Sequence, residues 1–397
     1  MTSNLSEVKK DKLEDYYEMA LRCNKCGFCR HVQPMAMADE RFWGQCPPGQ
    51  NNKYDSYFAS GLLEISRAVV EGNLKITDKV LDILHRCTTC GFCEEFCEPG
   101  SRLKPLSIIM ALRERCIKED KMLKPHREMV DSMIENMNPY GQPRTERLSS
   151  LPEVESLSSS SSDNLLYFGC CSSYKSQEIA KDSLEILTRG GLDISVDKDE
   201  ICCGLPGFSI GAEKVGLEML KKNIDRLNSS GVKRVVFVDP QCQFTFAQAK
   251  SHGIDLNFEL QHISQTILGL VDHGSLTFSP LQEKITYHDP CYLGRRLGIY
   301  EEPRKVLSGI PGVTLLEMPR SRANSYCCGA GGGVSIAFPD ETALTSENRF
   351  EEAASLGVKS LVTCDPLCFG SLEKAANGNG IEVYDLSKFL LRVVEER

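Results

Sequence analysis

Cysteines at short, regular intervals constrain this chain more than any other feature of its sequence. The segment CTTCGFCEEFC places Cys87, Cys90, Cys93 and Cys97 at the spacing C-x2-C-x2-C-x3-C, and CNKCGFC supplies three more cysteines upstream. The whole chain has 19 cysteines among 397 residues. A small secreted protein would pair them as disulfides, whereas in a chain of this length without an apolar leader they indicate metal binding or redox chemistry.

The two N-terminal motifs have the spacing of bacterial ferredoxins, whose thiolates hold [4Fe-4S] clusters. The fourth cysteine of such a run usually serves the other cluster. We therefore predict two cubane [4Fe-4S] clusters that exchange one ligand between the motifs. The predicted ligands are Cys23, Cys26, Cys29 and Cys97 for one cluster, and Cys87, Cys90, Cys93 and Cys46 for the other.

Two departures from the ferredoxin pattern are visible: Cys46 follows Cys29 only after residues 30–45, and the proline after Cys97 is displaced by one position, in CEPG. If Cys46 is not a ligand, His31 is the nearest spare one. Two zinc sites are the alternative to two cubanes, although C-x2-C-x2-C suits tetrahedral zinc poorly. Cys116 lies on the helix predicted after the second motif, and we interpret it as a buried structural thiol.

Apolar residues recur at helical spacing between and after these motifs, as in Leu62, Ile65 and Val69. This periodicity predicts amphipathic helices. We predict an all-α two-cluster ferredoxin domain over residues 1–145. The serine-rich segment that follows is predicted to be a flexible linker over 146–163.

Beyond this linker the sequence has an α/β pattern and repeats itself. The apolar runs LLYFG, RVVFV, ITYH and SLVTC are predicted buried strands, with amphipathic helices between them. YFGCCSSY, ICCGLPG and GVKRVVFVDPQC recur as YHDPCYLG, YCCGAGG and GVKSLVTCDPLC. The fold class is therefore multidomain, with an all-α ferredoxin domain and two α/β domains of one fold at 164–275 and 276–397.

Each repeat has an adjacent pair of cysteines before a glycine, as in Cys327 and Cys328. Neighbouring thiols cannot both reach one iron without strain, but they can reach different irons of one cluster, and the glycines let the backbone close around it. The C-terminal repeat offers five thiols, one more than a cubane needs, which favours an unusual cluster with a bridging sulfur. These thiols are Cys291, Cys327, Cys328, Cys364 and Cys368.

This repeat resembles the cysteine-rich CCG domain, in which a single cysteine is followed by a CC pair and a final C-x2-C; here the last spacing is C-x3-C. A ferredoxin module with two such domains resembles the catalytic subunit of membrane-type heterodisulfide reductases. It is also similar to the iron–sulfur subunits of glycolate, lactate and glycerol-3-phosphate dehydrogenases. The resemblance implies a non-cubane [4Fe-4S] cluster on the five C-terminal cysteines, where a disulfide is reduced by single electrons with a substrate sulfur bound to iron.

The first repeat departs from this pattern. Val238 stands where the repeat alignment places Cys364, and counting by spacing places Asp239 there instead. We interpret its thiols as a second cluster site, with zinc or a structural group of thiols as alternatives. They are Cys170, Cys171, Cys202, Cys203 and Cys242.

We expect an iron–sulfur oxidoreductase that acts within a complex. Electrons would come from a partner subunit (a flavoprotein, a hydrogenase or a membrane cytochrome/quinone module), cross the two cubanes and reach the C-terminal cluster, where a small thiol/disulfide molecule is reduced or formed. The alternative is a non-catalytic electron-transfer subunit that links a flavoprotein to quinone or another carrier. The altered first repeat slightly favours this alternative.

Other residues have two interpretations. His288 precedes Cys291 closely and is either a proton donor to a leaving thiolate or a histidine that hydrogen-bonds the loop. Arg295 and Arg296 either attract an anionic substrate or lie on a solvated surface, and the same holds for Arg320 and Arg322. The run GAGGGVS lacks the lysine of a phosphate-binding loop.

Charge and hydropathy exclude several classes of protein. The net charge is −9 and there is no long basic run, which argues against nucleic-acid binding. No stretch approaches the ~18 apolar residues of a membrane span, and the first residues do not form a signal peptide. We expect a cytoplasmic protein, or one peripheral at the inner face of a membrane, and the cysteine content is typical of an anaerobe.

Overall fold

A computed structural model describes residues 12–31, 39–97, 103–151, 154–158 and 162–395 of the chain. Every structural statement below refers to these residues. Parts of the predicted linker, at 152–153 and 159–161, lie outside them.

The N-terminal part is built from helices and 3-10 turns, with an isolated β-bridge between His31 and Gly44. The α-helices are α1 (Tyr17–Leu21), α2 (Pro47–Asn52), α3 (Ala59–Val70), α4 (Asp78–His85), α5 (Phe92–Glu95), α6 (Pro105–Lys118) and α7 (Lys124–Asn136). The 3-10 turns are Leu13–Tyr16, Glu40–Phe42, Asp55–Tyr57 and Arg144–Glu146.

Helix α6 is the central helix of this part. It starts at Pro105, where proline costs no hydrogen bond and fixes a helical φ. The basic residues in its last turn interact favourably with the negative end of the helix dipole. Its face with Ile108, Leu112 and Cys116 is buried against α3 and α4. Cys116 is fully buried, as the sequence predicted, and burial raises the pKa of its thiol to about 12.

Two four-stranded parallel sheets form the rest of the described chain, and the predicted buried strands are confirmed. The first has the order β2-β1-β3-β4 and the second the order β6-β5-β7-β8, so the internal repeat is a repeat of topology. The strands are β1 (Asn164–Tyr167), β2 (Ser195–Val196), β3 (Arg234–Phe237), β4 (Glu259–His262), β5 (Glu283–His288), β6 (Val313–Leu316), β7 (Ser360–Thr363) and β8 (Glu382–Asp385).

Helices connect the parallel strands, because strands that run in the same direction need a crossover. They are α8 (Val154–Ser158), α9 (Gly169–Tyr174), α10 (Gln177–Arg189), α11 (Leu205–Ile210), α12 (Glu213–Ser230), α13 (Pro240–Ala247), α14 (Ile263–Asp272), α15 (Glu301–Ser308), α16 (Val334–Ala337), α17 (Pro339–Ala354), α18 (Pro366–Ala376) and α19 (Leu386–Leu391). Tyr292–Arg296 is a π-helical turn, and Ala249–His252 and Arg322–Asn324 are 3-10 turns.

Part of the serine-rich segment packs on the first repeat. Leu148 and Leu151 are buried in the core that both sheets share, and the Leu148 N–H donates to the Ser173 carbonyl at 3.0 Å. These contacts anchor the chain just before α8. Among the described residues, no helix is long and apolar enough to cross a membrane.

Candidate iron–sulfur centres

The first cysteine cavity lies in the helical part and is open at one side. Its lining contains Cys23, Cys26, Cys29 and Cys97, and it encloses about 440 Å³. Cys26 is exposed to solvent, so this cavity reaches the protein surface. The structure thus brings the first motif together with the last cysteine of the second motif.

The second cysteine cavity lies deeper and encloses about 380 Å³. Its lining includes Cys46, placed at the start of α2, together with Cys87, Cys90 and Cys93. Cys29 lines this cavity as well as the first one, so the two cavities share a wall. His31, the alternative ligand, is exposed on the surface beside its bridge to Gly44 and is not part of the cavity lining.

The chemistry of these cavities fits an iron–sulfur cluster. Burial raises the pKa of the Cys29 thiol to about 11 and the pKa values of Cys46 and Cys93 well above the ordinary value. Several thiolates therefore cannot coexist there without a compensating positive charge. Iron supplies that charge and is bound by thiolates, so cluster binding must release the thiol protons.

In both repeats the adjacent cysteines precede a glycine that turns the backbone. Gly204 and Gly329 have φ values of +97° and +91°, which favour glycine. The Gly329 N–H donates to the Sγ atom of Cys327 at 3.3 Å, and the matching bond from Gly204 to Cys202 measures 3.4 Å. This turn lets the first cysteine of each pair face one neighbouring thiol and the second face another.

In the C-terminal repeat the pair joins two other cysteines. Cys327 interacts with the Cys291 thiol, and the Sγ atoms of Cys328 and Cys368 lie 3.1 Å apart. We call these four residues the C-terminal thiol set. The fifth predicted thiol, Cys364, follows β7 and interacts with Asp385 and the Tyr287 hydroxyl.

The first repeat forms an equivalent group, which we call the first-repeat thiol set: Cys170, Cys202, Cys203 and Cys242. Cys170 interacts with Cys202, and Cys203 with Cys242. Cys171 instead interacts with the Tyr140 hydroxyl and lies near two buried carboxyls.

The altered position in the first repeat does not break this arrangement. Val238 corresponds to Cys364, whose thiol interacts elsewhere in the second repeat. The next residues, Asp239 and Asp365, are matched in the two repeats and cap α13 and α18. Each repeat therefore presents four thiols in contact. Val238 replaces a cysteine that is not one of these four in the second repeat, so the replacement removes no member of the first-repeat thiol set.

His288 lies next to the C-terminal thiol set. One of its ring nitrogens is within 4.8 Å of the sulfur atoms of Cys328 and Cys368. Its Nδ1 accepts a hydrogen bond from Nε of Arg349 at 3.0 Å, so the proton of the neutral ring is on Nε2, which is buried without a partner. Burial and the nearby Arg349 hold the pKa of His288 well below its usual range. A neutral N–H donor fits this position better than a charged acid.

The arginines considered as anion-binding residues have different roles. Arg295 is half-buried and donates to the carbonyls of Cys90, Ala323 and Ser325. Arg320 is buried against Glu352, and Arg322 pairs with exposed Glu301. Arg295 and Arg296 both line an open groove, and the Arg296 guanidinium packs against Gly91 of the second cysteine cavity.

The glycine run after Cys328 packs against the second cysteine cavity. A Cβ atom on Gly332 would lie 2.5 Å from the Cys87 carbonyl oxygen, and one on Gly331 would lie 2.8 Å from that of Thr88. The glycines therefore let the second repeat approach the ferredoxin-like part closely. Sequence reasoning missed Arg113, which donates to the carbonyls of both Cys87 and Gly332 and has no motif of its own.

A further cavity lies between the two repeats and encloses about 660 Å³. The first-repeat thiol set and Cys171 line one side, and Ala330–Gly333 line another. It meets a larger open groove, whose lining carries Lys175 and Lys374 together with Glu178, Glu347 and Glu373. Cys171 and Tyr140 line both, so a small molecule could pass from the groove to the thiols.

Comparison with protein families places two kinds of domain in the chain. A family model described as a cysteine-rich domain (CCG) matches residues 165–247 and 285–373. A model described as a 4Fe-4S dicluster domain matches residues 19–101. Both matched regions contain the cysteines grouped above.

Similar proteins span most of the chain. A dihydromethanophenazine:CoB--CoM heterodisulfide reductase subunit from Methanosarcina acetivorans is 30% identical over 385 residues, which cover 92% of this chain and 90% of that protein. "EtfAB:quinone oxidoreductase" from Syntrophomonas wolfei is 27% identical over 334 residues, or 78% of this chain and 46% of that protein. A hypothetical protein from Helicobacter pylori shares the fold, with a TM-score of 0.56, 10% identity and coverage of 84% of this chain and 67% of that one.

Proposed function

The chain belongs to a family of heterodisulfide reductase subunits and is an iron–sulfur oxidoreductase, and from this premise we propose that it carries single electrons to a thiol/disulfide substrate bound between its two CCG repeats. The observation that supports this most strongly is the series of contacts that joins three of the four cysteine groups. Cys29 lines both cavities of the helical part, and the Cys327 thiol of the C-terminal set interacts with Cys90 of the second cavity.

The proposal assigns a cluster to each group of four cysteines. In an all-helical ferredoxin domain over 1–145, the first and second cysteine cavities hold one cubane each. The C-terminal thiol set holds a non-cubane cluster, and the first-repeat thiol set holds a further cluster or zinc. Iron–sulfur clusters supply one-electron transfer at potentials that surrounding charges and hydrogen bonds adjust.

The substrate position follows from the cavity between the repeats at 164–275 and 276–397. That cavity is lined by first-repeat thiols and by the glycine loop of the second repeat, and it continues into the groove with Lys175 and Lys374. The same groove also carries Glu178, Glu347 and Glu373, so its charges are mixed and select neither an acidic nor a basic substrate. This position refines the expectation from sequence, which placed the reaction at the C-terminal repeat alone.

The proposed reaction is balanced by a partner subunit and by water. The S–S bond of the disulfide breaks, two electrons arrive singly from a reduced flavoprotein or hydrogenase partner, and two protons from water complete two thiols. The same residues serve the reverse reaction. His288 contributes a fixed N–H donor beside the C-terminal thiol set, as its bond from Arg349 requires.

A second candidate function is a non-catalytic electron carrier between a flavoprotein and quinone. It is favoured by one relative, whose name is "EtfAB:quinone oxidoreductase". In this case the cavity between the repeats would hold no thiol substrate, and the exposed Cys26 side of the first cysteine cavity would face the partner.

The test is electron paramagnetic resonance of the oxidised, anaerobically purified protein with and without 2-mercaptoethanol. We expect a signal that the thiol perturbs, and we expect Cys203→Ala to abolish that perturbation. Cys116→Ala is the matched control, because Cys116 is buried outside all four cysteine groups. Loss of the perturbation in Cys328→Ala alone would place the substrate at the C-terminal set. Cubane signals indifferent to thiol would instead support the carrier function.

A further inference from the structure

Two arginines near the second cysteine cavity lack the carboxylate partners that other buried arginines have. Arg113 is fully buried and donates only to carbonyl oxygens, those of Leu84, Cys87, Ser209 and Gly332. Elsewhere in the molecule, Arg304 pairs with Asp289 and Arg349 pairs with Glu352. An unpaired buried cation is costly, so the exception needs a cause.

Arg295 shows the same exception on the other side of the cavity. Its Nε donates to the Cys90 carbonyl at 2.9 Å, its Nη1 donates to two further carbonyls, and its Nη2 is buried without a hydrogen-bond partner. Among the described residues, neither Arg295 nor Arg113 has a carboxylate within salt-bridge distance. The groups that act on the two guanidiniums are thiols and phenols, namely Cys87, Cys90, Cys291, Cys327, Cys116, Tyr292 and Tyr300.

Two cations beside the first cysteine cavity are paired. Lys25 lies 3.4 Å from Glu64, and Arg30 lies 2.7 Å from Asp55. Both pairs have partly exposed side chains, so solvent screens their charges. The guanidiniums of Arg113 and Arg295, in contrast, donate to backbone carbonyls at the second cavity and have no carboxylate partner among the described residues.

We propose that Arg113 and Arg295 are the counter-charges of a cluster held by Cys46, Cys87, Cys90 and Cys93, and that they raise its reduction potential above that of the cluster in the first cysteine cavity. This inference rests on the proposed function, because it requires both clusters. Burial of the second cavity on its own would disfavour the more negative, reduced cluster. The same low dielectric strengthens the attraction between the two guanidiniums and the negatively charged cluster. This attraction is larger for the reduced cluster, which carries one more negative charge.

The consequence is a direction for electron flow. Electrons enter at the first cavity, where Cys26 is exposed, and pass downhill to the second cavity. From there the contact between Cys90 and Cys327 leads into the C-terminal repeat. Neither arginine contacts the proposed substrate site, and each acts on the cluster through its positive charge.

The experiment is an anaerobic redox titration of the full-length protein followed by electron paramagnetic resonance. Cys26→Ser and Cys93→Ser assign the two cubane signals to the first and second cavities. Arg295→Met is compared with Arg295→Lys, which keeps the charge, and with Arg189→Met, which removes a charge paired with Glu185 on α10, away from both cavities. Arg295 is chosen over Arg113 because Arg113 joins three parts of the chain and its loss can prevent folding.

We expect the higher-potential cubane to be the one altered by Cys93→Ser. Arg295→Met shifts its midpoint to lower potential and leaves the other cubane unchanged, Arg295→Lys restores most of the shift, and Arg189→Met moves neither midpoint. Two cubanes with the order reversed, or an Arg295→Met midpoint equal to the native one, would overturn this inference while leaving the proposed function intact. Absence of cubane signals in the native protein would overturn both.

Discussion

At the scale of single residues, the hydrogen-bond partner decides what a side chain can do. His288 and Arg349 are 61 positions apart in sequence, yet their bond fixes which ring nitrogen carries the proton. Arg349 is itself held by Glu352, so the donor direction is set by a buried relay of three residues. The Nε2–H group is left to face the sulfur side of the site.

The first prediction concerns this N–H group. His288→Leu removes a donor beside Cys328 and Cys368, and hydrogen bonds to cluster sulfurs raise reduction potentials. We expect the midpoint of the C-terminal centre to shift to lower potential with unchanged iron content. Redox titration measures the shift, and His273→Leu, at an exposed histidine on the surface, serves as the control. An unchanged midpoint in His288→Leu would show that the ring only fills space.

At the scale of secondary-structure elements, glycines and helix caps determine how closely the parts approach. Gly331 and Gly332 contact the Cys87–Thr88 backbone, where a Cβ atom on either residue would overlap backbone atoms. Helix α19 is capped by Asp385, whose almost fully buried carboxylate accepts the Ser387 N–H at 2.9 Å. Substitutions in the glycine loop or at the helix cap should therefore change the temperature at which the protein unfolds.

The glycine loop gives a prediction with an internal control. Gly332 and Gly357 have similar φ values, +68° and +64°, but only Gly332 lies against another part of the chain. Gly357→Ala should cost about 1–2 kcal/mol from the left-handed backbone alone. Gly332→Ala should cost roughly 1–3 kcal/mol more, because of overlap with the Cys87 carbonyl. Thermal unfolding midpoints measure the difference, and equal midpoints would mean that the loop moves away freely.

The cap of α19 gives a prediction about pH. Burial raises the pKa of Asp385 to about 7, so the folded protein holds this proton more tightly than the unfolded chain does. Its stabilising contribution is complete below about pH 4 and is lost as the pH rises to about 7, with an upper limit of ~4 kcal/mol. Asp385→Asn keeps a side chain that can cap the helix, but this side chain does not titrate.

We therefore expect Asp385→Asn to unfold at a higher temperature than the native protein at pH 8, and the difference to shrink at pH 5. Unfolding midpoints at the two pH values measure this. Asp340→Asn, on the surface in the first turn of α17, is the control. A constant difference between pH 5 and pH 8 would contradict the assigned titration.

At the scale of the whole molecule, the sequence predicted architecture better than contacts. The apolar runs before the cysteine motifs correspond to β1, β3, β5 and β7, because a strand buried on both faces is apolar throughout. The two-residue strand β2 left no such pattern. Cys170 and Cys171 are equivalent in sequence, and only the turn at Gly169, with φ of +79°, decides which of them joins the first-repeat set. Arg113 carried no local signal, because its partners come from three distant segments.

The central claim is that electrons stored in this chain reduce a disulfide bound between the repeats. The most direct test mixes the reduced, desalted protein with a small disulfide in the absence of oxygen and follows both cluster oxidation and thiol release. We predict two thiols for every two electrons lost, at least tenfold slower reaction in Cys203→Ala, and an unchanged rate in Cys116→Ala. Clusters that stay reduced with the disulfide but are oxidised by a quinone would contradict the claim and establish an electron carrier.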